Sequence, residues 1–312
     1  MSIDYARLDH EHKLKLALQK MQSMDTNIRP LNSSGIPGGL VKFSPNEKRE
    51  FIIVGDLHAN KRNLKAILQD SGNLYRLEED QAVMVFLGDI VHDERTGHLK
   101  EMHSSIQAMD IVIHLINKYP HNIIYLKGNH DTFDPRLSKN SIQQGLEHMN
   151  ALIEQWGAEY AELMEQFVES LPVMGVHPYF LAAHAGPVRG GITRGELINI
   201  DHYPGSKHQL IWNRINETRT TPNQKEYGPE DLDAQRYALN RAGNTPFFVG
   251  HNPIWHSGGK DSVWVEPLQI HDYVILYSGA QNVCHYISIR RSKRYCIKYA
   301  NLKLKKKRFV LE

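Results

Sequence analysis

Cysteine is nearly absent: Cys284 and Cys296 are the only two in 312 residues. That excludes a disulfide framework and leaves room for at most one bridge, which would require the two to face each other on adjacent strands. No uninterrupted apolar run approaches the roughly 18 residues that a membrane helix needs, so a spanning segment is not expected. The opening MSIDYARLDHEHKLK carries charges where an export signal needs an apolar core, so export by that route is not expected and the cytoplasm is the expected location. There is no internal repeat, and no low-complexity block apart from a lysine run near residue 306. Net charge is also small, at +2. What remains, 41% hydrophobic and 23% charged residues, describes a globular chain long enough to bury its own core. One residue type stands out: 18 histidines make metal or proton-transfer chemistry the first thing to look for.

The small net charge conceals an asymmetry. From Arg290 to Glu312 there are ten Lys and Arg against one acid, so this segment carries +9 and the rest of the chain −7. The alternation of Leu302 and Leu304 with lysines reads first as a solvated edge, where lysines discourage strand-on-strand association. The functional alternative is a basic arm for acidic partners such as phosphorylated protein, nucleic acid or an anionic surface.

Leu14, Leu18 and Met21 recur at helical spacing and predict an N-terminal amphipathic helix packed on the body. The stretch NSSGIPGG, residues 32–39, reads as a linker, with the main domain beginning near Lys48. The expected organisation is therefore helix and linker over 1–47, a main domain over 48–300 and a basic tail over 301–312. Strands are predicted at 51–54, 82–87 and 122–126, with helices near 60–70 and 101–118 between them, the alternation of an α/β sheet covered by helices. A long helical segment is predicted over 145–169, a strand-rich region from Pro172, and loops over a site at 199–244, where prolines and glycines interrupt a polar sequence.

One local pattern recurs five times: an apolar run stops, usually at glycine, and a metal-capable side chain follows at once. FIIVGD ends at Asp56, VMVFLGD at Asp89, IIYLKGN at Asn129, YFLAAH at His184 and PFFVGH at His251. Carboxyl ends of strands are where open α/β sheets bind ligands, and glycine there permits a sharp turn and close approach. His58 follows Asp56 by two residues, so both can grip one ion. Mixed nitrogen and oxygen donors favour manganese, iron or zinc over magnesium or calcium. A single such word is weak evidence, because Gly-Asp after a strand is usually a plain turn. Five in one chain are a strong joint signal.

With GDLH at 55–58, GD at 88–89, GNHD at 128–131, HAG at 184–186 and GHNP at 250–253, the chain resembles the calcineurin-like metallophosphoesterases over about residues 50–290. Within them it is similar to the phosphoprotein phosphatases, most to the small phage and bacterial type represented by bacteriophage lambda protein phosphatase. HQLIWNR at 208–214 resembles the segment before that type's substrate-binding arginine, and SGA at 278–280 its penultimate strand. The resemblance implies an α/β (α+β) fold, a central two-sheet β-sandwich flanked by helices, with a dinuclear metal site at the strands' carboxyl ends. It implies that Asp56 and His58 hold the first metal, that Asp89 bridges, and that Asn129, His184 and His251 hold the second. The implied reaction is phosphomonoester hydrolysis by a metal-bound hydroxide, with His130 assisting the leaving oxygen. A phosphorylated protein carrying phosphoserine or phosphothreonine is the expected substrate. The alternatives are a nucleotide or dinucleoside-polyphosphate hydrolase, or a pseudo-phosphatase that only recruits phosphorylated partners.

The chain departs from the family at GDIVHDE, residues 88–94, where the phosphatase pattern is G-D-x-V-D-R-G. His92 replaces the aspartate that supports the catalytic histidine, and Asp93 replaces an arginine that grips phosphate. Asp131 or Asp93 is then the candidate to orient His130, and Arg95 the displaced candidate to reach phosphate. Lys127 stands where the phage type has another arginine, keeping the charge and losing the fork. Arg214 is the clamp residue retained in place.

Overall fold

In the computed structural model, residues 5–95, 97–218, 220–252, 262–290 and 294–303 are described. The apolar runs become strands buried on both faces, and successive residues divide between two different cores. One sheet has the order β11-β10-β2-β3-β4, with β2 at Glu50–Val54, β3 at Ala82–Phe86, β4 at Ile123–Tyr125, β10 at His285–Ile289 and β11 at Tyr295–Tyr299. The other has the order β1-β5-β6-β7-β9-β8, with β1 at Leu40–Lys42, β5 at Met174–His177, β6 at Phe180–Ala183, β7 at Phe247–Val249, β8 at Val263–Val265 and β9 at Tyr273–Leu276. β2, β3 and β4 run parallel, as do β6, β7 and β9.

Phe51, Ile53, Val83 and Val85 face Phe180, Phe248 and Val274 across the middle of the sandwich. Their neighbours Ile52, Val54, Met84 and Phe86 point the other way, onto helices. These are α1 at Tyr5–Gln22, α2 at Lys61–Gln69, α4 at His103–Lys118 and α6 at Ala158–Glu169, with α3 at Asn73–Glu78 and α5 at Gln144–Trp156 beside them. α1 buries Leu14, Leu18 and Met21 in this layer. The outer face of the second sheet is covered by α7 at Arg194–Ile198, α8 at Pro204–Trp212 and α9 at Pro229–Ala238. The architecture is the two-sheet sandwich flanked by helices, α/β/β/α in section. Each fully buried large apolar side chain in these layers contributes roughly 1.5–3 kcal/mol.

Three local expectations are corrected. The helical segment at 145–169 is two helices, broken at Gly157, whose φ of +91° is unsuited to a helix interior. Residues 32–39 are not a free linker: Leu31 bridges Pro37, Arg29 Nε donates to Gly38 O at 2.9 Å, and Leu40 to Lys42 continue directly into the second sheet beside β5. Residues 199–244 are not only loops, because Leu210, Tyr227, Leu232 and Leu239 are fully buried. Pro204 and Pro229 do not interrupt this region; they open α8 and α9, where a missing N–H costs nothing.

Cys284 is buried and Cys296 exposed, both as free thiols. Among the described residues, no helix is long and apolar enough to cross a membrane. The basic run 304–308 lies outside the described residues; ahead of it, Leu302 is buried and its carbonyl accepts from Arg62 Nη2 at 3.2 Å.

Candidate metal centre

The loops that follow β2, β3 and β4 in one sheet and β6 and β7 in the other meet at one end of the sandwich. Leu57 N and His58 N both donate to Asp89 O, at 3.0 and 2.9 Å, and Gly250 N donates to His184 O at 2.7 Å. These bonds lock the turns together. The turns are tight enough to hold His58, Asp89, His92 and His251 at positive φ, a conformation non-glycine residues adopt at some cost. A Cβ at Gly128 would collide with Asp89 Oδ1, and one at Gly250 with Asp56 Oδ1. Glycine is therefore required at both positions for the carboxylates to sit where they do.

All six residues expected to hold metal come together. His58 Nε2 lies 3.9 Å from Asp56 Oδ2 and 3.8 Å from Asp89 Oδ2. On the other side, His184 Nε2 lies 3.3 Å from Asp89 Oδ2 and 2.9 Å from Asn129 Oδ1. His251 joins Asp89 and His184 in one cluster of candidate ligand atoms, and its N–H donates to Asp56 Oδ2 at 2.8 Å. Each imidazole is aimed by a carbonyl at its other nitrogen. His58 Nδ1 is 3.1 Å from His92 O, His184 Nδ1 is 2.9 Å from Leu87 O, and His251 Nε2 is 3.0 Å from Trp212 O. That is how metal-ligating histidines are held.

Burial and mutual charge shift each titratable group among these six residues. Burial raises Asp56 to about 7. Burial would also raise Asp89, but His184 and His130 outweigh it and hold Asp89 well below the usual carboxylate range. Burial opposes the charge on His184, yet Asp89 and Asp56 lift it to about 9. His58 is raised in the same way, with Glu94, Asp89 and Asp56 overcoming burial. Among the described residues, Asp56 Oδ1 is buried with no hydrogen-bond partner, and the ion-pair partners of Asp56 and Asp89 are histidines. Two buried carboxylates, three imidazoles aimed by carbonyls and an amide oxygen fit a pair of transition-metal ions.

His130 is adjacent, its N–H donating to Asp89 Oδ1 at 2.8 Å. The carboxylates expected to orient its ring do not do so. Asp131 instead accepts from Tyr125 Oη at 2.5 Å, Gly128 N at 2.8 Å and Asp89 N at 3.1 Å, bracing the loop from behind. Asp93 is held by Arg95 through contacts of 2.8 and 2.9 Å. The partner of His130 is the substituted residue: His92 Nδ1 lies 3.1 Å from His130 Nδ1. Burial pushes His130 down to about 4, and burial with the neighbouring His148 and His130 pushes His92 well below the usual range. Both rings are neutral near neutral pH.

The candidates for phosphate contact separate. Lys127 is buried, its Nζ donating at 3.0 Å to Asp131 O, Val168 O and Glu169 Oε1. It anchors the loop beneath the centre, and its three partners leave it unavailable to a ligand. Arg95 lines a cleft of about 400 Å³ beside His58, together with Glu94 and Tyr277, but is engaged by Asp93. Arg214 is exposed and its Nε stands 3.5 Å from His251 Nε2, at the edge of the centre.

One residue here was not anticipated. Glu94 places Oε2 3.7 Å from His58 Nε2 and Oε1 3.5 Å from His130 Nε2, and Lys139 Nζ holds Oε1 at 2.7 Å. Its sequence signal was an acid five residues after Asp89, at a position where the resembled pattern has glycine.

A sequence-family model for calcineurin-like phosphoesterases matches residues 50–280. No curated protein sequence is matched at a significant level. Among solved structures, the chain is similar to a protein serine/threonine phosphatase from Saccharomyces cerevisiae with similarity to human phosphatase PP5. The TM-score is 0.67 at 15% identity, covering 95% of this chain and 90% of that one. A metallophosphoesterase from Sphaerobacter thermophilus aligns with a TM-score of 0.43 at 19% identity, over 82% of this chain and 89% of that one.

Proposed function

Because the chain belongs to the calcineurin-like phosphoesterase family and is a metal-dependent phosphoesterase, we propose that it is a two-metal phosphatase of phosphomonoesters, with phosphoserine and phosphothreonine in proteins as its substrate class. The observation that carries this reading is the position of Asp89 Oδ2, 3.8 Å from His58 Nε2 and 3.3 Å from His184 Nε2. One carboxylate oxygen lies between Asp56 and His58 on one side and Asn129, His184 and His251 on the other, the place of a ligand shared by two ions. When bound, manganese, iron or zinc supplies charge neutralisation for a phosphate dianion and a water acidic enough to attack phosphorus.

The chain's own groups do the remaining work. Asp89 Oδ1 fixes the main chain of His130 through its N–H. Of two neutral imidazoles meeting at Nδ1, one donates and one accepts. Donation from His92 leaves the proton of His130 on Nε2, the nitrogen 3.5 Å from Glu94 Oε1, where it stabilises the leaving oxygen.

Arg214 is the cation that reaches the phosphate. Arg214→Ala is expected to raise KM about 10–100-fold, the loss of roughly 1.5–3 kcal/mol in charged hydrogen bonds. Metal content, measured by atomic emission, should not change. Unchanged kinetics would remove Arg214 from the site.

Protein substrates are favoured by the segment at 208–214, in which α8 ends at Trp212 and delivers Arg214 beside His251. The likeness of fold to the yeast protein serine/threonine phosphatase points the same way. A turnover panel on manganese-loaded protein, comparing phosphopeptides, mononucleotides and dinucleoside tetraphosphates, tests this. The highest kcat/KM should be for phosphopeptides, and a tenfold preference for a dinucleoside tetraphosphate would replace the substrate class while leaving the centre intact.

A further inference from the structure

Three carboxylates approach His58, although two suffice for the dinuclear reading above. We infer that Glu94 is a further protein ligand of the first metal position, beside Asp56, His58 and Asp89; this inference rests on that reading. Around His58 Nε2, the nearest carboxylate oxygens are Asp56 Oδ2 at 3.9 Å, Asp89 Oδ2 at 3.8 Å and Glu94 Oε2 at 3.7 Å. Such distances are too long for hydrogen bonds. They are the separations of ligands that share an ion, since bonds of about 2.0–2.2 Å place neighbouring donor atoms about 3–4 Å apart. Glu94 thus lies as near to His58 as the two aspartates do, on the side of His58 that faces His130.

The remaining geometry supports the assignment. Candidate ligand atoms of His58, Glu94 and His130 form one cluster, which shares His58 with that of Asp56, His58 and Asp89, so the Glu94 side chain has to swing toward the aspartates to join their ion. The other carboxylate oxygen of Glu94 is held by Lys139 Nζ at 2.7 Å, the outer contact that orients a ligating carboxylate. The chain turns back at His92, whose φ of +66° redirects the loop after β3 so that a residue five positions beyond Asp89 returns to the same ion. A third carboxylate lowers the net charge of a centre with two divalent ions from +2 to about +1, which tightens the metal and weakens the attraction for phosphate.

The test is calorimetric titration of the chelator-stripped full chain with Mn²⁺. Wild type should take up two equivalents. Glu94→Gln should keep one at unchanged affinity and weaken the other by about 10–100-fold. Glu94→Asp, with a shorter reach, should fall between. Lys139→Met, which breaks the ion pair but leaves the carboxylate, should keep both equivalents. The spin-resonance spectrum of the Glu94→Gln protein with two equivalents of Mn²⁺ should show isolated Mn²⁺ where wild type shows a coupled pair. Two equivalents at wild-type affinity in both Glu94 variants would overturn the assignment and leave Glu94 as a partner of Lys139 and His130. Failure of wild type itself to bind two ions would overturn the dinuclear reading and this inference with it.

Discussion

Asp89→Asn should empty both metal positions at once and lower turnover of an aryl phosphate by at least about 10³-fold, the rate equivalent of about 4 kcal/mol. The two oxygens of Asp89 act separately, since Oδ1 accepts the His130 N–H at 2.8 Å and Oδ2 faces His58 and His184. An amide can reproduce only one of these, and its NH₂ would turn donors toward the centre or toward the main-chain N–H. It also removes one of the charges that hold His184 and His58 above their usual range, beside Asp56 for His184 and Glu94 and Asp56 for His58. Chelation of the wild-type chain should produce the same loss, reversed by added manganese. Metal content by atomic emission, measured beside aryl phosphate turnover, checks both arms. Full activity in protein shown to be metal-free would refute the two-metal reading.

The convergence of the six candidate ligands was legible in the sequence because ligand chemistry is local. A glycine needed at Gly128 or Gly250, followed by a donor at the end of an apolar run, is a feature of a few consecutive residues. The sandwich was less legible. Phe51 and Ile53 belong to one core and Ile52 and Val54 to another, and a strand buried on both faces shows no alternation by which to assign its sheet. Gly157 sits inside a continuous helical pattern that hides the break, and Pro204 and Pro229 look like breakers although they are helix starts. The side chains misjudged were those whose direction depends on distant elements. Lys127 turns beneath the loop because the α6 carbonyl of Val168 and the carboxylate of Glu169 lie there. Asp131 braces Tyr125 for a similar reason. Glu94 returns to the centre through the turn at His92, which no propensity announces.

His130→Asn should leave metal content near two per chain while lowering kcat by about 10²–10⁴, the usual worth of a positioned acid. The main-chain bond from residue 130 to Asp89 survives this change, so the centre keeps its geometry and the loss belongs to the ring. Because burial pushes His130 down to about 4 and its Nδ1 faces His92 rather than a carboxylate, the ring acts as a neutral Nε2–H donor. A neutral donor stabilises a developing oxyanion less than an imidazolium does, which places the expected loss toward the lower end of that range. Dependence on the leaving group separates this role from a structural one. An aryl oxygen departs with little help and an alkyl oxygen, as in phosphoserine, with much more, so the loss should be smaller for aryl than for alkyl phosphates. Equal losses for the two, with metal content intact, would show that His130 does not touch the leaving oxygen. In that case the contact with His92 would serve only to pack the loop after β4 against the loop after β3.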